Sequence, residues 1–172
     1  MIGLIFLESA IKRLTDYKKL CDKAFTQLNE NDLHFTPSSE SNSIAIIIQH
    51  MHGNMLSRWT NFLTEDGEKE WRKRDGEFEV HKMSSEKLIA LWEEGWKCCL
   101  DALVSLSGDD LEKTIHIRNE PLSVVDAINR QIAHYSYHAG QIIYIAKIIR
   151  DKDWQSLSIP KKSATSNEKR PS

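Results

Sequence analysis

Arg130-Gln-Ile-Ala-His-Tyr-Ser-Tyr-His-Ala-Gly-Gln-Ile-Ile-Tyr144 sits inside the longest regular pattern of the chain. Val125, Ile128, Ile132, Tyr135, Ala139, Ile142, Ala146 and Ile149 step by threes and fours without a break, which is the period of an amphipathic helix. Upstream, Pro121 reads as the opening of that helix and Ser123-x-x-Asp126 as its cap. The same stretch carries His134 and His138. A spacing of four puts two imidazoles on one face of a helix, one turn apart, where both reach a single cation.

Three further helical patterns precede it. The first runs from about Ile2 to Asn29, with Leu4, Leu7, Ile11, Leu14, Tyr17, Leu20 and Cys21 on its core face. Thr36-Pro-Ser-Ser-Glu-Ser-Asn42 is turn and cap chemistry, and Asn42 or Ser43 caps a second helix that runs to about Leu63 through Ile44, Ile47, Met51, Met55 and Phe62. Ser84 or Ser85 caps a third to about Leu106, striped by Leu88, Leu91, Trp92, Trp96, Leu100 and Leu103, and Gly108 stops it. Between the second and third lies a polar stretch from Thr64 to Ser84 with no sustained period, long enough to cross the length of a helix bundle and let its flanking helices run parallel. Leu111 to Asn119 alternates in the manner of a short extended segment or a small hairpin arm. The expected fold class is all-α, a four-helix bundle over residues 1–154, followed by a flexible tail over 155–172 that offers no large apolar residue to a core after Pro160.

Composition bounds the function. A chain of 172 residues with 40% hydrophobic content fits one domain. Lys and Arg number 23 against 25 Asp and Glu, a formal net charge of -2 that leaves no basic excess to follow a phosphate backbone, so nucleic acid is not an expected partner. The longest apolar run, Met1 to Leu7, falls well short of the roughly 20 residues that cross a bilayer, so no membrane partner is expected. That run has no cationic segment before it and meets Glu8, Lys12 and Arg13 directly after, which reads as a cytoplasmic helix and not as a signal peptide. The three cysteines, Cys21, Cys98 and Cys99, form no C-x-x-C unit, suit a reducing compartment and read as packing residues.

The histidine pair needs a third ligand from another helix. His50 and His52 both lie in the second predicted helix, but they point about 200° apart, so only one of them serves. His34, His81 and His116 fall in turns or connections and are set aside. On the fourth predicted helix, Gln131, His134, His138 and Gln141 make a stripe about 100° from the apolar one, at the flank of the core where a partly open site would sit. Gln131, Gln141 and Asn54, each about one turn from a histidine, are placed to orient an imidazole or a bound water. Tyr137 lies roughly 60° from His134 and 100° from His138 about the helix axis and is not expected as a general acid, and no carboxylate is clearly placed as a base.

Asn42-Ser-Ile-Ala-Ile-Ile-Ile-Gln-His50-x-x-Gly53-Asn54, followed much later by His134-x-x-x-His138-x-Gly140-Gln141-Ile142, resembles the DinB-like metal-binding four-helix superfamily over roughly Ile2 to Arg150. The resemblance selects His50 over His52 and places His50, His134 and His138 on one divalent cation. It also implies an up-down-down-up helix order, homodimers and, in some members, metal-dependent S-transfer from low-molecular-weight thiols such as bacillithiol, mycothiol or glutathione.

Three neutral imidazoles leave at least one position for water or a thiol, which separates such a site from a closed four-ligand structural one. Imidazole ligands suit Zn, Ni, Cu or Fe without distinguishing among them, so the expected cofactor is one divalent ion, Zn, Ni or Fe, with a low-molecular-weight thiol as co-substrate. The expected function is a metal-dependent thiol S-transferase acting on a small electrophile, or a hydrolase in which the ion activates water. The alternative from another class is a non-catalytic bundle whose ion serves stability or an interaction. A metal-free interaction bundle remains only if His134 and His138 are dispensable.

Overall fold

The computed structural model describes residues 2–159, which form five α-helices and one small sheet. The helices are α1 (Ile2–Phe25), α2 (Glu30–Leu33), α3 (Ile44–Trp59), α4 (Ser85–Val104) and α5 (Val124–Arg150), and the strands β1 (Thr114–Ile117) and β2 (Glu120–Ser123) pair antiparallel. No helix among the described residues is long and apolar enough to cross a membrane. Of the tail expected over 155–172, Gln155 exchanges hydrogen bonds with the Gln27 side chain at 2.9 and 3.1 Å and Leu157 packs on the core, while residues 160–172 lie outside the described residues.

Local chemistry sets the helix ends. Ser43, Ser84 and Ser123 each accept the amide N–H three residues on, from Ile46, Lys87 and Asp126, which satisfies a backbone donor that the first turn cannot. The first expected helix stops at Phe25, not at Asn29. Asn29 turns to extended backbone and restarts the chain as α2 through a capping box, its side chain accepting the Asp32 N–H while Asp32 accepts the N–H of Asn29. α3 likewise ends at Trp59, four residues before Leu63. Asn61 adopts a left-handed φ of 50°, which asparagine tolerates and a continuing helix does not.

The chain is not purely helical. Pro121 opens no helix: it lies in β2 opposite His116, with Arg118 and Asn119 forming a two-residue turn at φ 59° and 61°. Both central residues at positive φ is the geometry that matches the twist of a tight hairpin. Gly108 lies past the end of α4, in a short 3₁₀ turn spanning Gly108–Glu112.

α3 packs along α4 and α1 along α5, with further contacts of α1 on α4 and α3 on α5. The buried centre holds Leu14 of α1, Ile44, Ile48, Met51 and Met55 of α3, Trp92 and Trp96 of α4, and Tyr135 and Ile142 of α5. Gly95 lets α3 and α4 approach closely, because a Cβ there would lie 3.1 Å from Met55 Sδ and 3.2 Å from His52 Cα. Trp59, Trp92 and Trp96 belong to this core, whereas Trp71 is more than half exposed.

Leu14 has no exposed surface and Leu4, on the same expected stripe, is 55% exposed. Leu14→Ala is therefore expected to cost about 2–5 kcal/mol through lost burial and a residual cavity. Leu4→Ala should stay within about 0.5 kcal/mol. Urea unfolding followed by circular dichroism measures both, and equal costs would contradict this packing.

Candidate metal centre

His50 lies near the middle of α3, on the side that faces α5, and His134 and His138 lie one turn apart on α5. The three rings meet. His134 Nε2 is 3.2 Å from His50 Nε2 and 3.1 Å from His138 Nε2, and one nitrogen from each ring falls within 4.8 Å of the other two. His52 points elsewhere, to Glu94 of α4 at 3.0 Å. His34 reaches the Met83 carbonyl at 2.8 Å, away from the trio, while His81 and His116 are exposed.

Two of the rings have their tautomer set by a partner on the far side. The Glu77 carboxylate can only accept, so His50 Nδ1 must carry the proton in the 2.9 Å bond between them, and Nε2 of the neutral ring is left as a lone pair. His138 Nδ1 stands 2.8 Å from the Gln141 Oε1 and donates to it, which leaves its Nε2 as a lone pair too. Both lone pairs face His134 Nε2, which holds at most one proton and so satisfies at most one of them. A cation among the three satisfies all of them at once. Metal–nitrogen distances of about 2.0–2.1 Å set neighbouring ligand nitrogens about 2.8–3.4 Å apart in octahedral or tetrahedral geometry, a range that includes the two short separations here. The residues present fit a three-histidine cation.

Protonation does not stand in the way. Burial pushes the His134 pKa down to about 3, with repulsion from His138, His50, Arg58 and Arg72 adding to it. His138 is pushed down to about 4 by burial, against the opposing effect of its bond to Gln141. Both rings are neutral at pH 7 and present lone pairs without first losing a proton.

Glu77 and its surroundings come from the connection between α3 and α4, which carried no readable period. Its one regular piece is a 3₁₀ turn spanning Asp75–Phe78. Arg72, almost wholly buried, donates Nε–H and Nη2–H to the two oxygens of Glu77 at 2.7 and 2.9 Å. Burial alone would raise the Glu77 carboxyl, but the bonds from Arg72 and His50 outweigh it and hold the group below the usual carboxylate range. Phe78 stacks on His50 with ring centroids 4.9 Å apart. Gly53, one turn after His50, makes room for the carboxylate: a Cβ there would run into Glu77 Oε1 and stand 2.7 Å from its Cδ.

The other orienting residues divide. Gln141 holds His138 as described. Asn54 Oδ1 accepts the Tyr135 hydroxyl at 3.0 Å, and that hydroxyl accepts the Trp59 indole N–H at 3.0 Å, so Asn54 is braced by the core. Tyr137, set aside on its angle, in fact packs on both rings of its helix, 4.2 Å from His138 and 5.2 Å from His134 between centroids. Beside the trio lies a cavity of about 570 Å³ lined by the three histidines with Asn54, Phe78, Gln131 and Tyr137 among others. No cysteine contributes. Burial pushes the Cys21 thiol up to about 12 and raises those of Cys98 and Cys99 as well, so none offers a thiolate.

Residues 1–163 match the DUF1572 family, described as proteins of unknown function. The chain belongs to DUF1572. A search of curated proteins finds no match to it. The three histidines, Glu77, Gly53 and Gln141 of this DUF1572 chain all fall within the matched residues, and the family description attaches no activity to them.

Gly53→Ala tests the link from Glu77 to His50. Alanine improves the helix by up to about 1 kcal/mol, which offsets part of the cost of displacing the buried carboxylate, and an unchanged helical circular dichroism spectrum checks that the fold survives. Long-range ¹H–¹⁵N spectra of the metal-free protein are expected to show His50 as the Nδ1–H tautomer in the wild type and as a mixture in the variant. An unchanged tautomer in Gly53→Ala would mean that Glu77 does not set it.

Proposed function

We propose that this protein binds one divalent cation, Zn, Ni or Fe, through His50, His134 and His138, and that it is a metal-dependent thiol S-transferase acting on a small electrophile. On the same reading its four long helices make a DinB-like four-helix bundle in up-down-down-up order that pairs as a homodimer. The observation that carries it is the convergence of three imidazole nitrogens within 4.8 Å, beside an open cavity and with no fourth Cys, Asp or Glu in the cluster among the described residues. A site meant only to brace the fold would be closed by a fourth protein ligand. The alternative of a non-catalytic metal bundle therefore has less to support it.

When bound there, a divalent cation lowers the pKa of a thiol sharing it from an ordinary value of about 8.5, so that sulfur attacks as thiolate at neutral pH. The protein's own groups supply the rest. Glu77 and Gln141 hold the His50 and His138 rings by their Nδ1–H groups, so that Nε2 of each stays aimed at one point. Phe78 stacks on the His50 ring and Tyr137 packs against the His138 ring, which limits how far either imidazole can turn. In the transfer, the sulfur–carbon bond forms as the electrophile's bond to its leaving group breaks, the leaving group departs with the electron pair, and the thiol proton goes to solvent. No carboxylate lines the cavity, so that proton is assigned to solvent and not to a side-chain carboxylate.

Elemental analysis of protein purified without a histidine tag should give close to one Zn, Ni or Fe per chain, and His138→Ala should lose it while keeping its helical spectrum. Retention of metal by His138→Ala would show the three-histidine assignment to be wrong. Metal-loaded protein that turns over none of a panel of thiols with an aryl halide electrophile would favour the non-catalytic alternative.

A further inference from the structure

The cavity beside the histidines is far more basic than the chain that builds it. Arg58, Arg72, Arg74, Arg118 and Arg130 line it and no aspartate or glutamate does, in a protein whose formal net charge is -2. Two carboxylates behind the wall answer three of the five: Glu68 pairs with Arg58 at 3.0 Å and with Arg118 at 3.1 Å, and Glu77 pairs with Arg72. Arg74 and Arg130 have no ion-pair partner among the described residues. Five guanidinium groups against two carboxylates leave a surplus of three positive charges on one concave surface, which focuses field and concentrates anions there.

Position narrows the size of the anion. Arg130, His134 and His138 follow one another at intervals of four along α5, so all three share a face, and Arg130 lies one turn, about 6 Å, from His134. Arg74 comes to the same cavity from the connection, immediately before the turn whose Glu77 and Phe78 touch His50. A molecule gripped between Arg74 and Arg130 thus needs only a few bonds to reach the imidazoles. Gln131, next to Arg130 and only 3% exposed, adds a second requirement: its buried Oε1 has no hydrogen-bond partner among the described residues and needs a donor.

The geometry points to a small organic acid as the molecule this cavity takes, its carboxylate or phosphate held by Arg74 and Arg130, an O–H or N–H on Gln131, and its other end at His50, His134 and His138. The inference rests on the reading of this site as one that admits a small-molecule substrate, and not on which metal it holds. Guanidinium is suited to the task because its planar fork meets both oxygens of such a group at once.

Titrating metal-free, ¹⁵N-labelled full-length protein at fixed ionic strength with tartrate, succinate, inorganic phosphate and neutral erythritol tests it. Saturable shifts at Arg130, Gln131 and Tyr137 are expected with tartrate, weaker ones with succinate and none with erythritol. Arg74→Gln and Arg130→Gln should each weaken tartrate about tenfold, the loss expected for one charge-assisted contact. Phosphate binding more tightly than tartrate, and lost in the same variants, would assign phosphate as the acidic group and still support the site. Absence of saturable binding by any of the three anions, or affinities unchanged in both variants, would overturn it, and succinate binding as tightly as tartrate would overturn the Gln131 contact. Anion binding by a protein that holds no metal would leave this site standing and remove the cation, whereas metal without anion binding would do the reverse.

Discussion

The carboxylate of Glu77 is the contact on which the site depends. One of its oxygens accepts both from His50 Nδ1 and from Arg72 Nη2, and the other accepts from Arg72 Nε, with all three side chains largely withdrawn from water. Removing one member of such a buried set strands the others, which is costlier than never having buried them. The set therefore acts as a joint. It ties an irregular connection to the middle of α3, and through Gly53 it does so at a distance that any other residue at that position would lengthen. Fixing the loop and fixing the tautomer of His50 are one event.

That joint also resolves an electrostatic conflict. A cluster of arginines is a poor neighbour for a divalent cation, and Arg58 and Arg72 already help to depress His134. The two closest to the core, however, are answered by carboxylates, Arg72 by Glu77 and Arg58 by Glu68, so each presents a pair and not a bare charge. The unanswered arginines, Arg74 and Arg130, are exposed, so the high dielectric of water weakens their repulsion of a charge at the imidazoles. The buried arginine side chains of the cavity, Arg58 and Arg72, are thus compensated, and the uncompensated ones are exposed.

Periodicity made the helices and the histidine pair of α5 legible, while the choice of His50 over His52 came from the resemblance and not from spacing. The stripe through Tyr135, Ala139 and Ile142 is buried as its spacing required, Ser43, Ser84 and Ser123 cap as their chemistry required, and the i, i+4 pair on α5 meets a histidine from α3. The helix ends were less legible because they turn on single residues, Asn29 with its capping box and Asn61 with its left-handed backbone, whose apolar neighbours continue the pattern regardless. Glu77, Arg72 and Phe78 were not legible at all. They reach the site from a segment without a repeat, and a carboxylate some 27 residues from the histidine it bonds leaves no trace in local spacing. Gly53 was visible as part of a motif, but its reason, the space it leaves for Glu77, exists only in three dimensions. The packing of Tyr137 on both rings of its helix was not legible either, because an angle about the helix axis ignores how far a tyrosine reaches.

The walls of the cavity are made by what periodicity does not describe, and those pieces hold one another. Asp66 accepts the N–H groups of Arg118 and Asn119 at 2.9 and 2.7 Å, the two residues whose left-handed turn would otherwise be a strain for side chains with a Cβ. Burial would raise the Asp66 carboxyl, yet these bonds and one from the Glu68 N–H keep it below the ordinary carboxylate range, so it remains a charged acceptor for the hairpin. Next to it the Gly67 N–H donates to the His116 carbonyl at 2.8 Å, while the Gly67 carbonyl accepts from Ser57 at 2.7 Å and from Arg58, both on α3. The hairpin is therefore fastened to the connection and the connection to the helix that carries His50. A shift of the hairpin would move Arg118 and Glu68, and through them the pairing of Arg58, before it touched any histidine. In this architecture the helices decide which atoms meet at the centre, and the hydrogen-bonded unit of connection and hairpin supplies Arg72, Arg74, Phe78 and Arg118 to the wall of the cavity beside them.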